Sequence, residues 1–126
     1  MALGKIKADI LEHSTAGSLD TKFVVNGSAK SWSNINAGAS PRDSFNVSSV
    51  TDVSTGKYQI NVSTSMNNVN YAVLTNGSRA NDETVTCRQE EHTAGQYTIQ
   101  CFEADAPSQA FQDSDSVFTA VMGDLA

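Results

Sequence analysis

Residues 57–66 constrain the fold more than any other stretch. Tyr58, Ile60, Val62, Thr64 and Met66 share one parity, and Lys57, Gln59, Asn61, Ser63 and Ser65 hold the other. Repetition every second residue fits a strand with one covered face, whereas a helix repeats its face every three to four residues. Phe45–Val50 begins with the same alternation, and Thr51–Gly56 between the two runs is turn chemistry. Residues 43–64 therefore read as an antiparallel hairpin.

The remaining segments point the same way. Ile6, Ala8 and Ile10 alternate with Lys5, Lys7 and Asp9, as on an edge strand whose charged side discourages aggregation. His13–Ser18 reads as a loop, and the short run Lys22–Val25 ends at Asn26-Gly27, a turn signal. Tyr71–Leu74 is apolar on both faces and is expected to be a central strand closed by Asn76-Gly77. Glu83–Glu90 and Gln96–Phe102 flank Thr93-Ala94-Gly95, a three-residue hairpin loop with Gly95 at the left-handed position. Setting His92 opposite Gln96 brings Cys87 to face Cys101. The last strand is expected at Val117–Met122. The fold class is all-β: an antiparallel β-sandwich or small barrel of roughly eight or nine strands with an extended N-terminal arm, and no helix is expected.

A chain of 126 residues makes one domain. Residues 1–28 are assigned to an anchoring arm and residues 29–126 to the β-sandwich head. The supply for a core is thin: 39% of residues are hydrophobic, 7% are aromatic, and Ser, Thr and Asn make up 37 of the 126. Such a chain gains from sharing a core with sister copies.

Charge excludes two partner classes. Eight basic residues against fourteen acidic give −6, and no Lys/Arg cluster is present to neutralise a phosphate backbone or an anionic lipid surface. Nucleic acid and membrane insertion are therefore not expected, and no stretch approaches the roughly 20 apolar residues of a spanning helix. Residues 1–81 carry a net +2 and residues 82–126 a net −8, which reads as a solvated acidic face or as a basis for contact between neighbouring chains. The N-terminus lacks the continuous apolar segment of a signal peptide, so export is not expected.

Candidate chemistry is sparse. Cys87 and Cys101 could bridge across strands, but in a reducing compartment they are expected as free, buried thiols. His13 and His92 are isolated from each other and from any C-x-x-C pair, so a metal site is not expected, and both read as surface histidines. No G-x-S-x-G elbow occurs. Glu90 and Glu91 are strand neighbours that point to opposite faces and cannot act as an acid/base pair. Asp113-Ser114-Asp115 lacks the glycine and distal glutamate of a calcium loop. Asn26, Asn46, Asn61 and Asn76 begin N-x-S triplets, which without export are polar faces and turns. Trp32 could stack on a sugar but is better placed in a core or a subunit interface. Trp32, Tyr58, Tyr71 and Tyr97 all fall at apolar-parity positions, where covered side chains are expected. No catalytic residue, cofactor or metal is assigned, and the chain is expected to bind or build and not to catalyse.

One segment resembles a known type. Residues 29–73 contain Ala29-Lys30-Ser31-Trp32, then Arg42-Asp43-Ser44-Phe45-Asn46-Val47-Ser48-Ser49-Val50-Thr51-Asp52, then Gly56-Lys57-Tyr58 and Asn70-Tyr71-Ala72-Val73. In order and spacing this resembles a recurrent segment of tailed-bacteriophage tail-fibre and related virion surface proteins. Arg42 through Asp52 is the most specific run. Ser33–Asn36 and Ala37–Pro41 depart from that pattern. The resemblance implies a homotrimeric, β-rich virion component without enzyme activity, assembled in the host cytoplasm. It would attach to capsid or tail proteins by its arm. Residues 76–83 and 104–116 are candidate loops for contact with a host glycan or receptor. A capsid decoration protein and a carbohydrate-binding module are the competing expectations.

Overall fold

A computed structural model describes residues 4, 6–80, 84–104 and 110–126. Among them it contains eleven strands and one short helix. The chain is all-β, as expected. Its two main sheets stay separate and form a sandwich, so the barrel alternative is excluded.

The N-terminal region holds a hairpin of β1 (Ile10–His13) and β2 (Gly17–Asp20), followed by α1 (Thr21–Gly27). The strand expected over Lys5–Ile10 is therefore displaced. Lys5 lies outside the described residues, pairing begins at Ile10, and the expected loop at 13–18 is mostly strand and turn. Thr21 fastens the preceding extended stretch, its amide donating to Asp9 O at 2.8 Å and its hydroxyl to Ala8 O at 2.6 Å. The short run Lys22–Val25 is helical, which corrects the expectation of no helix. Asn26-Gly27 ends a helix as readily as it turns a hairpin, and Asp20 before it is a favoured N-cap type.

The head has two layers. One sheet runs in the order β4 (Pro41–Phe45), β3 (Ser31–Asn36), β11 (Ser116–Met122), β7 (Ala72–Ser78). The other places β5 (Val47–Ser54) beside β6 (Lys57–Val62), then β9 (Gln96–Glu103), with β8 (Val85–Thr93) beyond it. The two-residue strand β10 (Ala110–Phe111) pairs with β9 past the end of β6. All pairings are antiparallel. The core lies between the layers: Ile35, Val117 and Val121 from one sheet meet Tyr58, Ile60, Tyr97, Ile99 and Cys101 from the other. Tyr97 carries its hydroxyl into this core, where it lies 2.9 Å from Thr119 Oγ1, itself 2.7 Å from Ser33 Oγ. That chain satisfies three buried hydroxyls, which would otherwise each carry a desolvation cost of about 1–3 kcal/mol.

The run Arg42–Asp52 builds the corner between the sheets. β4 belongs to one layer and β5 to the other, and Asn46 separates them with a left-handed φ of 55°. Its side chain holds the corner, donating to Lys30 O and Thr64 O at 3.0 Å each and accepting from Thr64 N at 2.7 Å. Arg42 donates to Asp115 O at 2.8 Å and to Ser116 Oγ, binding β4 to the start of β11. Gly56 has φ 70°, and a Cβ there would lie 2.5 Å from Cys101 O. Tyr71 donates to Thr93 O at 2.7 Å and Gln96 O at 2.9 Å, fastening the β8–β9 turn.

Three local expectations are corrected. First, the β8–β9 loop is the two-residue Ala94-Gly95, with Thr93 opposite Gln96, and Gly95 is not left-handed. A register shift between Gln89 and His92 restores Cys87 opposite Cys101 as expected. Second, those cysteines are not free thiols but form a disulfide. Their Cα atoms lie 4.2 Å apart, and Gly77, without a side chain, leaves room for Cys87 Sγ. Third, β7 is the edge of its hydrogen-bonded sheet and not central, and Asn76-Gly77 lies within it and makes no turn.

Candidate assembly surface

The two outer faces of the sandwich differ in kind. On the β6–β9–β8 side the outward residues are Lys57, Gln59, Thr98, Gln100, Arg88 and Glu90. Its three charged groups pair with one another, and Gln100 donates to Thr55 O at 3.3 Å. Glu90 lies 3.0 Å from both Lys57 Nζ and Arg88 Nη2, and these two donors hold its carboxyl below the usual carboxylate range. Gln59 reaches Gln96 at 3.4 Å, and Arg88 sits over the Phe102 ring at 5.7 Å. This face is a closed polar layer.

The opposite outer face is apolar. Ser31, Ser33 and Ile35 point inward along β3, so Trp32 points outward. Pairing aligns Phe45, Trp32, Ala120 and Leu74 in one row across all four strands. The next row is Asp43, Asn34, Phe118 and Asn76, and Met122 with Ala72 lies on the other side of the first. Trp32 is 38% exposed, Phe45 54%, Leu74 56% and Phe118 41%. A shallow groove runs between Leu74 and Phe118. Toward Ser116 and Ser78 the face turns polar, and there the Arg42 guanidinium lies against Asn34 and Ser116.

A second uncovered apolar region adjoins it in the chain. Ile6, Ile10, Leu11, Leu19, Phe23, Val24 and Val25 are all exposed, and α1 buries none of its residues. β1, β2 and α1 pack on one another with no extensive packing on any head strand. Lys30 holds the junction: its ammonium donates to Val25 O and to Ser28 Oγ, while its amide donates to Val121 O at 2.8 Å.

The other sequence candidates serve the fold. His92 is held between Val69 O, 2.9 Å from Nε2, and Gln89 on Nδ1, with its ring edge-on to Tyr71 at 5.2 Å. His13 lies in β1, and its side chain is outside what is described. Asp113 accepts from Gly56 N at 2.6 Å and Asp115 from Ala80 N at 2.7 Å. Among the described residues no three His, Cys, Asp or Glu side chains cluster as metal ligands would. Asn61 donates to Ser49 Oγ, and Asn76 accepts from Gly77 N. Of the two candidate contact loops, residues 76–78 and 110–111 are strand, Ser114 is fully buried, and residues 81–83 and 105–109 lie outside the described residues.

No family model, no curated protein and no solved structure matches the chain.

Of the two places the sequence offers Trp32, a core or a subunit interface, the structure excludes the core. Tyr58, Tyr71 and Tyr97 are covered as expected, but Trp32 faces out. Its neighbours Ser31 and Ser33 take the core side, where the large Tyr97 ring fills the space opposite. The one available signal was the apolar character of both faces of Tyr71–Leu74, which comes from this outer patch.

Proposed function

We propose that this chain is a non-enzymatic structural protein of a tailed-phage virion. In this reading it is a short homotrimeric surface fibre or spike. Residues 1–28 attach it to capsid or tail proteins, and the head is presented outward, where it can meet the host. The observation that carries the reading is the pairing of two uncovered apolar regions, the N-terminal segment and one outer sheet face, with an otherwise closed β head. Surfaces of this kind are covered in an assembly. The fibre-like residues support it from another side. Arg42, Asn46, Gly56 and Tyr71 hold corners and turns, so the resemblance falls on residues that determine the fold.

A capsid decoration protein is the second reading, favoured by the small size of a head joined to a short apolar arm. Quantitative mass spectrometry of purified particles separates the two. A copy number far below that of the capsid subunit fits a fibre, and one comparable to it fits decoration. A chain absent from particles ends both.

A further inference from the structure

We propose that further copies of this chain cover the outer face of the β4–β3–β11–β7 sheet, with Trp32, Phe45, Leu74 and Phe118 at the centre of the contact. This rests on the structural reading above and names the surface through which it operates.

Three observations select a sister copy as the occupant. The first is area. An aromatic side chain offers about 150–250 Å², so the exposed parts of these four side chains present on the order of 350 Å² of apolar surface. A standard interface takes about 800 Å² per partner, of which roughly 60% is apolar. Exposed Ala72 and half-buried Ala120 and Met122 extend the apolar surface on the same face.

The second is charge. Copies carrying −6 each repel one another and approach best where a surface carries no net charge. This face qualifies, because its charged groups, Asp43 and Arg42, are of opposite sign and lie on its β4 margin. The opposite outer face has already satisfied its ions among themselves.

The third is continuity. The apolar end of the face, at Trp32 and Met122, adjoins Lys30, where the N-terminal segment departs. Copies that meet there bring their exposed Phe23–Val25 runs to the same pole, where one attachment point could engage several arms at once.

A glycan is the competing occupant, since Trp32 and Phe45 are adjacent exposed rings. Sugar sites combine stacking with convergent polar groups. The central row here offers Phe45, Trp32, Ala120 and Leu74, with polar groups only in the next row.

The test uses the full chain and its only tryptophan. Native mass spectrometry and light scattering give the oligomeric state, and Trp32 emission is followed on dilution. A closed oligomer is expected, with a red shift of Trp32 emission as it dissociates. The double variant Leu74→Glu/Phe118→Glu is expected to associate at least about 100-fold more weakly while keeping its β circular dichroism. Val53→Glu, an equally exposed apolar position on the other sheet, is the control and is expected to leave association unchanged. Three results overturn the proposal: a wild-type monomer at high concentration, a double variant that stays oligomeric, or a monomer whose Trp32 emission responds saturably to a glycan panel. Absence of the chain from particles would end the virion reading and leave this interface standing.

Discussion

At the scale of single residues, the positions that matter most are those where the backbone has no alternative. Gly56 combines a left-handed φ with backbone atoms of Cys101 and Gln112 where a Cβ would stand. Gly56→Ala is expected to cost about 2–5 kcal/mol, the sum of the left-handed penalty and overpacking against backbone, read as a lower denaturant midpoint. Asn46 can be separated into two parts. Asn46→Gly keeps the left-handed turn and loses the side-chain bonds, while Asn46→Ala loses both. The expected order of stability is wild type, then Gly, then Ala, with the Ala variant down by about 2–3 kcal/mol. Equal stability of all three would remove Asn46 as the corner-former. Tyrosines add a pH dependence. Burial, and then the Asp113 carboxylate, push Tyr58 up to about 12 from 10, and burial followed by Tyr97 does the same to Tyr71. The neutral forms are favoured in the fold, so this contribution is complete below pH 10 and is lost as pH rises toward 12. Thermal midpoints measured across that window should fall, with the fall blunted in Tyr71→Phe. Sequence reading placed these tyrosines in the core correctly, because strand parity decides burial wherever one face is covered.

At the scale of elements, legibility followed period and failed at ends. The β5–β6 and β8–β9 pairings and β11 could be read from alternation. The hairpin expected over 43–64 is corrected: residues 43–45 belong to β4 in the other sheet, and the turn expected at 51–56 shrinks to Thr55-Gly56 because β5 runs on to Ser54. Loop lengths could not, because a two-residue loop with a later register shift brings Cys87 opposite Cys101 just as a three-residue loop without one does. The thiol state was misjudged for another reason. It was inferred from compartment, whereas strand register and the space left by Gly77 decide whether two sulfurs can meet. The bridge spans a sequence separation of 14, for which loop-closure entropy gives about 3 kcal/mol. The Cys87→Ser/Cys101→Ser variant should lose about that much, and reductant should lower the wild-type midpoint without affecting the variant. A midpoint insensitive to reductant would mean that the bridge contributes nothing in solution. α1 was missed because a seven-residue helix with no buried face leaves no amphipathic pattern to read.

At the scale of the whole molecule, the two apolar regions were missed for one shared reason. Patterning shows which residues avoid water, but not whether the cover comes from the same chain. Trp32 was expected in a core or at a subunit interface, and in the single chain it stays exposed, as does Phe23. The same distinction predicts how stability is distributed. β9 lies between β8 and β6 and buries residues on both of its faces, whereas β1, β2 and α1 bury none among the residues whose side chains are described, and they join the head through the Lys30 contacts. Opening free energies follow buried contacts. Amide exchange should therefore be fast over residues 10–27 and slowest over Tyr97–Cys101 in the isolated protein. A chain beginning at residue 29 should unfold cooperatively at nearly the same midpoint as the full chain, because removing the segment uncovers little of the core. If that truncation instead abolished cooperative unfolding, the N-terminal segment would be part of the folding unit. Its exposed apolar residues would then need explaining as head structure and not as a surface kept for other subunits.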